Sequence, residues 1–236
     1  MRDTPKMSTI LSIETSTTVC SAALHSEGKL IASEITHVAN SAASQLAVMI
    51  DKLLGSSSRV PGAVAVTSGP GSYTGLRIGV ATAKGICYAL GLPLIAVSSL
   101  EVMAAQVNSL LDNSSFESRN SLLCPMIDAR RMEVYTALYD GGLNVVEGIQ
   151  ARVIDASAYI DVLGVRPVVF FGNGSDKCKD VIRHSNARFV EGIFPSADWL
   201  GKIAFERFAQ KRFEDVGEFE PFYLKDFIAK KPKSLV

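Results

Sequence analysis

The sequence is poor in the residues that most often announce chemistry. It has three histidines, His25, His37 and His184. No two lie at a spacing that shares a helix face, so no metal pair is expected. Cys20, Cys87, Cys124 and Cys178 are far apart and form no Cys-x-x-Cys. Three of them stand in apolar runs and read as buried free thiols. No sign of charge is in excess: Lys plus Arg and Asp plus Glu number 24 each. A global field that would draw nucleic acid or a membrane surface is therefore missing. No apolar run reaches a membrane span. Ile10 to Leu24 is interrupted by Glu14 and a Ser/Thr run, so it is no signal-peptide core. These absences together predict a reduced, cytoplasmic protein without a membrane partner.

The familiar phosphate-binding and nucleophile signatures are missing too. Gly69-x-Gly71 encloses Pro70 and meets Thr74 where a dinucleotide fingerprint has its third glycine. No Gly-Lys-Ser/Thr follows at P-loop spacing. In Gly71-Ser-Tyr-Thr-Gly75 the serine stands one place early for a nucleophile elbow. No local signature supports a Ser-His-Asp triad.

What is present is a stretch around which the chain is organised, Val64 to Gly79. Ala63 to Thr67 reads as a buried strand. Ser68-Gly-Pro-Gly71 is a turn, and Ser72 or Thr74 caps a helix that runs to about Leu90, where Gly91-Leu-Pro93 stops it. Gly75, Gly79, Ala83 and Cys87 recur every fourth residue, a stripe of small side chains that lets another surface approach closely. That surface is either the chain's own sheet or another protein.

Apolar residues make up 47% of 236, enough for one large core or two small ones. Met1 to Lys6 reads as a polar lead-in, with Met7 as a start for the fold. Strands follow at Thr9–Ile13, Val19–Leu24 and Leu30–Thr36. A helix with Ala43, Leu46, Ala47, Ile50, Leu53 and Leu54 at helical spacing comes next. Then come the strand and helix just described, a strand at Leu94–Val97, and a helix opened by the capping box Ser98-x-x-Glu101. Asp112 to Ser121 is the linker candidate. The order then repeats: strands at Leu122–Ile127, Glu133–Tyr139 and Leu143–Ile149, a short helix Ala156–Leu163, and a strand Pro167–Phe171. A helix from about Asp176, a strand Ala187–Val190 and a long helix capped by Ser196 complete it.

Two halves, 1–111 and 112–236, with one element order predict a duplicated ribonuclease H-like, actin-like ATPase (ASKHA) fold. Each half is expected to hold a mixed five-stranded sheet with helices, and the last helix and tail to pack back towards the first half. The first strand of each half ends in an acid, Glu14 and Asp128. The fourth ends in a glycine turn, Gly69/Gly71 and Gly172/Gly174. Those positions would line a cleft between the halves. ATP-hydrolysing members of this fold place a glycine hairpin after each acid; here Ser16 and Arg130 stand there, so a cleft degenerate for nucleotide is expected. Asp128, Arg130, Arg131 and Glu133 read as an exposed hairpin end of mixed charge. Phe219 to Lys225 is an aromatic run that should dock, and Ala229 to Lys233 is a short solvated basic tail.

Ile10-Leu-Ser-Ile-Glu-Thr-Ser16, Ser68-Gly-Pro-Gly-Ser-Tyr-Thr-Gly-Leu-Arg-Ile-Gly79, Ala96-Val-Ser-Ser-Leu100, Ile127-Asp-Ala-Arg-x-x-Glu-Val-Tyr135 and Glu220-Pro-x-Tyr-Leu-Lys225 resemble, in order and spacing, the TsaB (YeaZ) family. The resemblance covers Met7 to Lys225. It implies a non-catalytic, cofactor-free protein of threonylcarbamoyladenosine synthesis. Such a protein pairs with the transferase paralogue TsaD through its N-terminal half, is joined by the ATPase TsaE, meets tRNA only through the complex, and forms a homodimer when alone. The metal-holding His-x-x-x-His pair of TsaD aligns with Ser99 and Met103, and its other histidine position falls in Asn40-Ser-Ala-Ala-Ser-Gln45, so neither the transferase nor the glycoprotease label fits. On this reading Leu46, Ala47, Ile50, Leu54, Gly75, Gly79, Ala83 and Cys87 form the partner or dimer face, two of which would meet as a four-helix bundle. The rival reading is a nucleotide-binding, small-molecule kinase-like enzyme using Glu14, Asp128, Gly69 and Gly174.

Overall fold

The structure, a computed structural model, describes residues 9–39, 41–57, 59–111 and 120–225. The expected lead-in, the body of the linker and the basic tail lie outside the described residues. The first half consists of β1 (Thr9–Glu14), β2 (Cys20–Ser26), β3 (Lys29–Thr36), α1 (Ala42–Ser57), β4 (Ala63–Gly69), α2 (Tyr73–Leu90), β5 (Leu94–Ser98) and α3 (Ser99–Leu111). The second consists of β6 (Leu122–Asp128), β7 (Glu133–Tyr139), β8 (Val145–Val153), α4 (Ile160–Leu163), β9 (Val168–Phe171), β10 (Ala187–Val190) and α5 (Ala197–Ala209).

Each half builds the same sheet. The orders are β3-β2-β1-β4-β5 and β10-β9-β6-β7-β8. In each, three antiparallel strands are extended by two strands parallel to the first. This is the duplicated ribonuclease H-like, actin-like architecture. Alternation along β1 gives each face its own core. Leu11 and Ile13, with Val64 and Val66, pack under Leu46, Ile50 and Leu53 of α1 and Val80, Ala83 and Cys87 of α2. Ile10, Ala63, Ala65, Ile95 and Val97 face the opposite way, under Val102 of α3 and Leu200 and Ala204 of α5. The last helix of each half thus packs on the sheet of the other half. Leu100, Met103, Ala104 and Val107 of α3 cover Leu123, Ile127, Val169 and Phe171 of the second sheet, while α5 covers the first sheet.

Four local departures from the expected elements have visible causes. β8 starts at Val145 because Asp140 Oδ1 accepts the N–H groups of Gly142 and Asn144 and holds Leu143 at φ +60. Its far end continues to Val153 because Gln150 and Arg152 pair with Thr136 and Val134. The helix expected from Ala156 is only one turn, because Asp155 bonds Ser157 in an Asx turn and Tyr159 sits at φ +64. The helix expected from Asp176 is a 3-10 turn, Asp176–Cys178, continued by irregular turns that still bury Cys178 and Ile182. Ser196 heads α5, yet its side chain makes no cap; the Ala197 N–H is instead accepted by Ser21 Oγ of β2 at 2.9 Å.

The aromatic run docks as a strap. Glu214 N–H bonds the Leu94 carbonyl, Phe219 packs into the α1/α2 core, and Phe222 N–H bonds the Ser68 carbonyl at 2.7 Å. Lys84 Nζ donates to the carbonyls of Gly217 and Phe219 at 3.0 and 2.9 Å. Tyr223 lies against Tyr73, and Lys225 is ion-paired with Glu133 of the second half.

Candidate partner face and closed cleft

The small stripe of α2 faces inward. Gly75, Gly79, Ala83 and Cys87 are all buried. A Cβ at Gly75 or Gly79 would overlap the carbonyl or hydroxyl of Thr15 in the β1–β2 loop. The Thr15 hydroxyl donates to the Gly75 carbonyl at 2.8 Å. Leu46 and Ile50 are core residues as well. Six of the eight residues assigned to a partner face are therefore corrected: their small size or apolar character serves the chain's own sheet. Ala47 is exposed on the outside of α1, and Leu54 is half-buried at the edge of the same core.

The outside of the helix pair has its own apolar row, which the sequence reading missed. Val48 is 59% exposed, Tyr88 88% and Leu90 53%. Ala47, Ala81 and Gly85 are exposed as well, and a Cβ at Gly85 would meet nothing within 4 Å. The signal was there, since Ala81, Gly85 and Ala89 also recur every fourth residue. Two small rows on one helix cannot be ranked without the tertiary environment. α2 itself is well made for display. Ser72 Oγ accepts the Gly75 N–H, and Gly91, at φ +62, closes the helix through its N–H to the Cys87 carbonyl.

The cleft expectation is corrected in its first half. Glu14 does not face an open site; it is fully buried. Its Oε1 accepts both the N–H and the hydroxyl of Ser16 at 2.5 Å. Burial raises its pKa, against the lowering effect of those hydrogen bonds, so the neutral acid is favoured. Ser16 packs against the glycine turn. Its carbonyl accepts Ser72 N–H at 2.7 Å and occupies the space a Gly71 Cβ would take. Gly69, at φ +108, leaves room for the Phe222 carbonyl of the strap. In the second half, Gly172 and Gly174 give way to the β6 backbone at Met126 and Ile127. Asp128 is exposed, ion-paired with Lys177, and accepts Arg130 N–H at 2.9 Å. These glycines and acids knit loops of one chain together rather than converge on a ligand.

A cavity of about 190 Å³ does remain between the halves, lined by Thr17, Thr18 and Val19 on one side and Gly172, Asn173, Asp176 and Glu191 to Pro195 on the other. Of the eight predicted cleft residues, Gly172 alone lines it. Asp176 and Glu191 share Lys179, so its polar rim carries more acid than base. All four cysteines are buried free thiols. Burial pushes Cys20 and Cys87 up to about 11 and Cys124 up to about 12, far from nucleophilic range. Among the described residues no group of three or more His, Cys, Asp or Glu side chains is placed to hold a metal, and no helix is long and apolar enough to cross a membrane.

Residues 36–232 match the family model described as "TsaD: tRNA N6-adenosine threonylcarbamoyltransferase". The tRNA threonylcarbamoyladenosine biosynthesis protein TsaB of Bacillus subtilis (strain 168) is 33% identical over 180 residues, covering 74% of this chain and 75% of the relative. TsaB of Escherichia coli (strain K12) is 29% identical over 231 residues, covering 93% of this chain and 96% of the relative. The crystal structure of YeaZ from Pseudomonas aeruginosa superposes with a TM-score of 0.77 at 26% identity, covering 92% of this chain and all of that one. The chain belongs to the TsaB (YeaZ) family of tRNA threonylcarbamoyladenosine biosynthesis proteins.

Proposed function

We propose that this chain is a non-catalytic, cytoplasmic scaffold subunit. It docks a TsaD-like paralogue through the outer face of α1 and α2, is joined by a TsaE-like ATPase, and so supports threonylcarbamoyl transfer to the adenosine beside the tRNA anticodon. Without the paralogue the same face closes a homodimer. The observation that carries this reading is the exposure of Val48 on α1 and of Ala81, Gly85, Tyr88 and Leu90 on the capped helix α2. Aromatic and small residues on one flat helix face suit a protein contact better than a small-molecule site. The buried, Ser16-bound carboxyl of Glu14 supports the non-catalytic part, because an acid sealed from solvent cannot orient a metal or a water. The same burial supports the scaffold reading over the kinase-like alternative, which would use Glu14 at an open site.

The test is formation of threonylcarbamoyladenosine on unmodified tRNA by the TsaD-like, TsaE-like and adenylate-forming proteins, with and without this chain. Product should depend on the chain. Glu14→Gln, which keeps the bond to Ser16, should leave product formation within twofold of wild type. Gly85→Arg should abolish both product and co-elution with the paralogue. Equal product without the chain, or loss of turnover in a folded Glu14→Gln, overturns the reading.

A further inference from the structure

The hairpin between β6 and β7 is built in an expensive way. Arg130 and Arg131 stand in succession at φ +71 and +52, the left-handed region that Gly, Asn or Asp occupies at least cost. A non-glycine residue held there is strained. Both arginines are exposed, and neither has an ion-pair partner among the described residues. The neighbouring acids are already matched: Asp128 with Lys177, and Glu133 with Lys225. The turn therefore holds two unspent guanidinium groups out into solvent at a conformational cost that Asn-Gly would avoid.

The pairing of Lys225 with Glu133 pins this hairpin beside the end of the strap. There the strap shows aromatic faces: Phe222 is 45% exposed and Tyr223 36%. Tyr223 packs on Tyr73 with centroids 4.8 Å apart and planes tilted by 36°, and Arg77 lies over the Tyr73 ring, 5.5 Å from its centroid, while donating to its hydroxyl at 2.8 Å. Glu220 acts on Arg77, while the hairpin acids Asp128 and Glu133 are held by Lys177 and Lys225. Half-open aromatic rings beside unpaired arginines are the elements of a single-stranded nucleic-acid platform: rings stack unpaired bases, and guanidinium groups take the phosphates between them.

We infer that Arg130, Arg131, Arg77, Tyr73, Phe222 and Tyr223 form a direct contact site for a single-stranded RNA segment. The inference deepens the functional reading above, which brings tRNA to this chain only through the complex. Its test uses the full chain alone, so the two fail separately.

Fluorescence anisotropy of labelled oligouridine would be followed against the chain at low salt, with an RNA duplex of equal length as control. The single strand should bind saturably and the duplex at least tenfold more weakly. Arg130→Asn with Arg131→Asn relieves the backbone while removing both charges. It should keep or raise the thermal midpoint, weaken oligouridine binding about tenfold, and flatten the slope of log K against log salt by roughly 1.4, about 0.7 for each lost phosphate contact. Tyr223→Leu keeps an apolar contact to Tyr73 and should weaken binding about tenfold with little change in that slope. No saturable binding by wild type, equal binding of duplex and single strand, or unchanged affinity in both folded variants overturns the inference. So does loss of pairing with the TsaD-like paralogue in these variants while RNA binding persists, which would make the patch a protein contact.

Discussion

A glycine can be small for two opposite reasons, and α2 contains both. Gly75 and Gly79 make room for Thr15, whereas Gly85 faces open space. Sequence shows the spacing of both rows and cannot tell them apart, because the difference lies in what the β1–β2 loop does. A stability measurement separates them. Gly79→Ala overpacks the contact with Thr15 and should cost about 1–3 kcal/mol in denaturant unfolding. Gly85→Arg should stay within about 0.5 kcal/mol of wild type and yet prevent pairing in size-exclusion chromatography. A neutral Gly79→Ala would return the stripe to the surface. His25 depends on its tertiary surroundings in the same way. Beside the Glu27-Gly28 turn it reads as solvated, but it is fully buried where Gly201 of α5 leaves space for its ring. Nε2 lies 2.9 Å from the Asp198 carbonyl and so carries the proton, while Nδ1 has no partner. Burial lowers its pKa, against the raising effect of the Asp198 carbonyl and carboxylate. The folded state thus resists a proton that the unfolded chain takes up near 6.5. The stability this group supplies is complete above that pH and lost as pH falls through it. The thermal midpoint should drop as pH falls below about 6.5, and His25→Gln should flatten the drop. Glu14, shifted upward, acts with the opposite sign, so the comparison with His25→Gln, not the raw profile, is the readout.

At the scale of elements, strands and periodic helices were legible because their pattern is local. Alternation along β1 and the β4–turn–α2 stretch lie where the residues place them. The failures sit where a side chain overrules the pattern: Asp155 turning the chain before α4, or Ser21 taking over the cap of α5. Ser98 of the capping box does bind the Leu100 N–H, but Glu101 is held at 2.6 and 2.8 Å by Arg207 of α5 and joins two helices. The strap was legible only as an aromatic run in need of cover. Its path depends on Lys84, whose ammonium gathers two strap carbonyls from a position on α2 that looks like an ordinary solvated charge. Lys84→Met keeps the aliphatic stem and removes both charged hydrogen bonds. It should speed amide exchange across Gly217 to Phe222 roughly tenfold, with Lys84→Arg intermediate and the strands of the first sheet unchanged, since the bonds of charged donors are worth about 1.5–3 kcal/mol. Uniform exchange across the chain in Lys84→Met would instead mean that the strap and α2 open only with the whole fold.

The boundary near residue 111 follows the chain but not the cores. α3 precedes it and packs on the second sheet; α5 lies far beyond it and packs on the first. Residues 1–111 alone would leave Ile10, Ala63, Ile95 and Val97 without Leu200 and Ala204, a bare apolar sheet face. Residues 112–236 alone would lack the four α3 side chains over Leu123, Ile127, Val169 and Phe171. Element order reveals the duplication because each half repeats the same local patterns. It cannot reveal the exchange of helices, which is a property of long-range packing. The two pieces expressed separately should therefore lack near-ultraviolet circular dichroism and unfold without a cooperative transition, whereas co-expression should restore a complex that melts as one unit. Two separate cooperative transitions from the isolated pieces would show that each sheet can cover itself. In that case α3 and α5 would be movable covers, and the cleft that Ser16 and Glu14 keep closed would be free to open between independent halves.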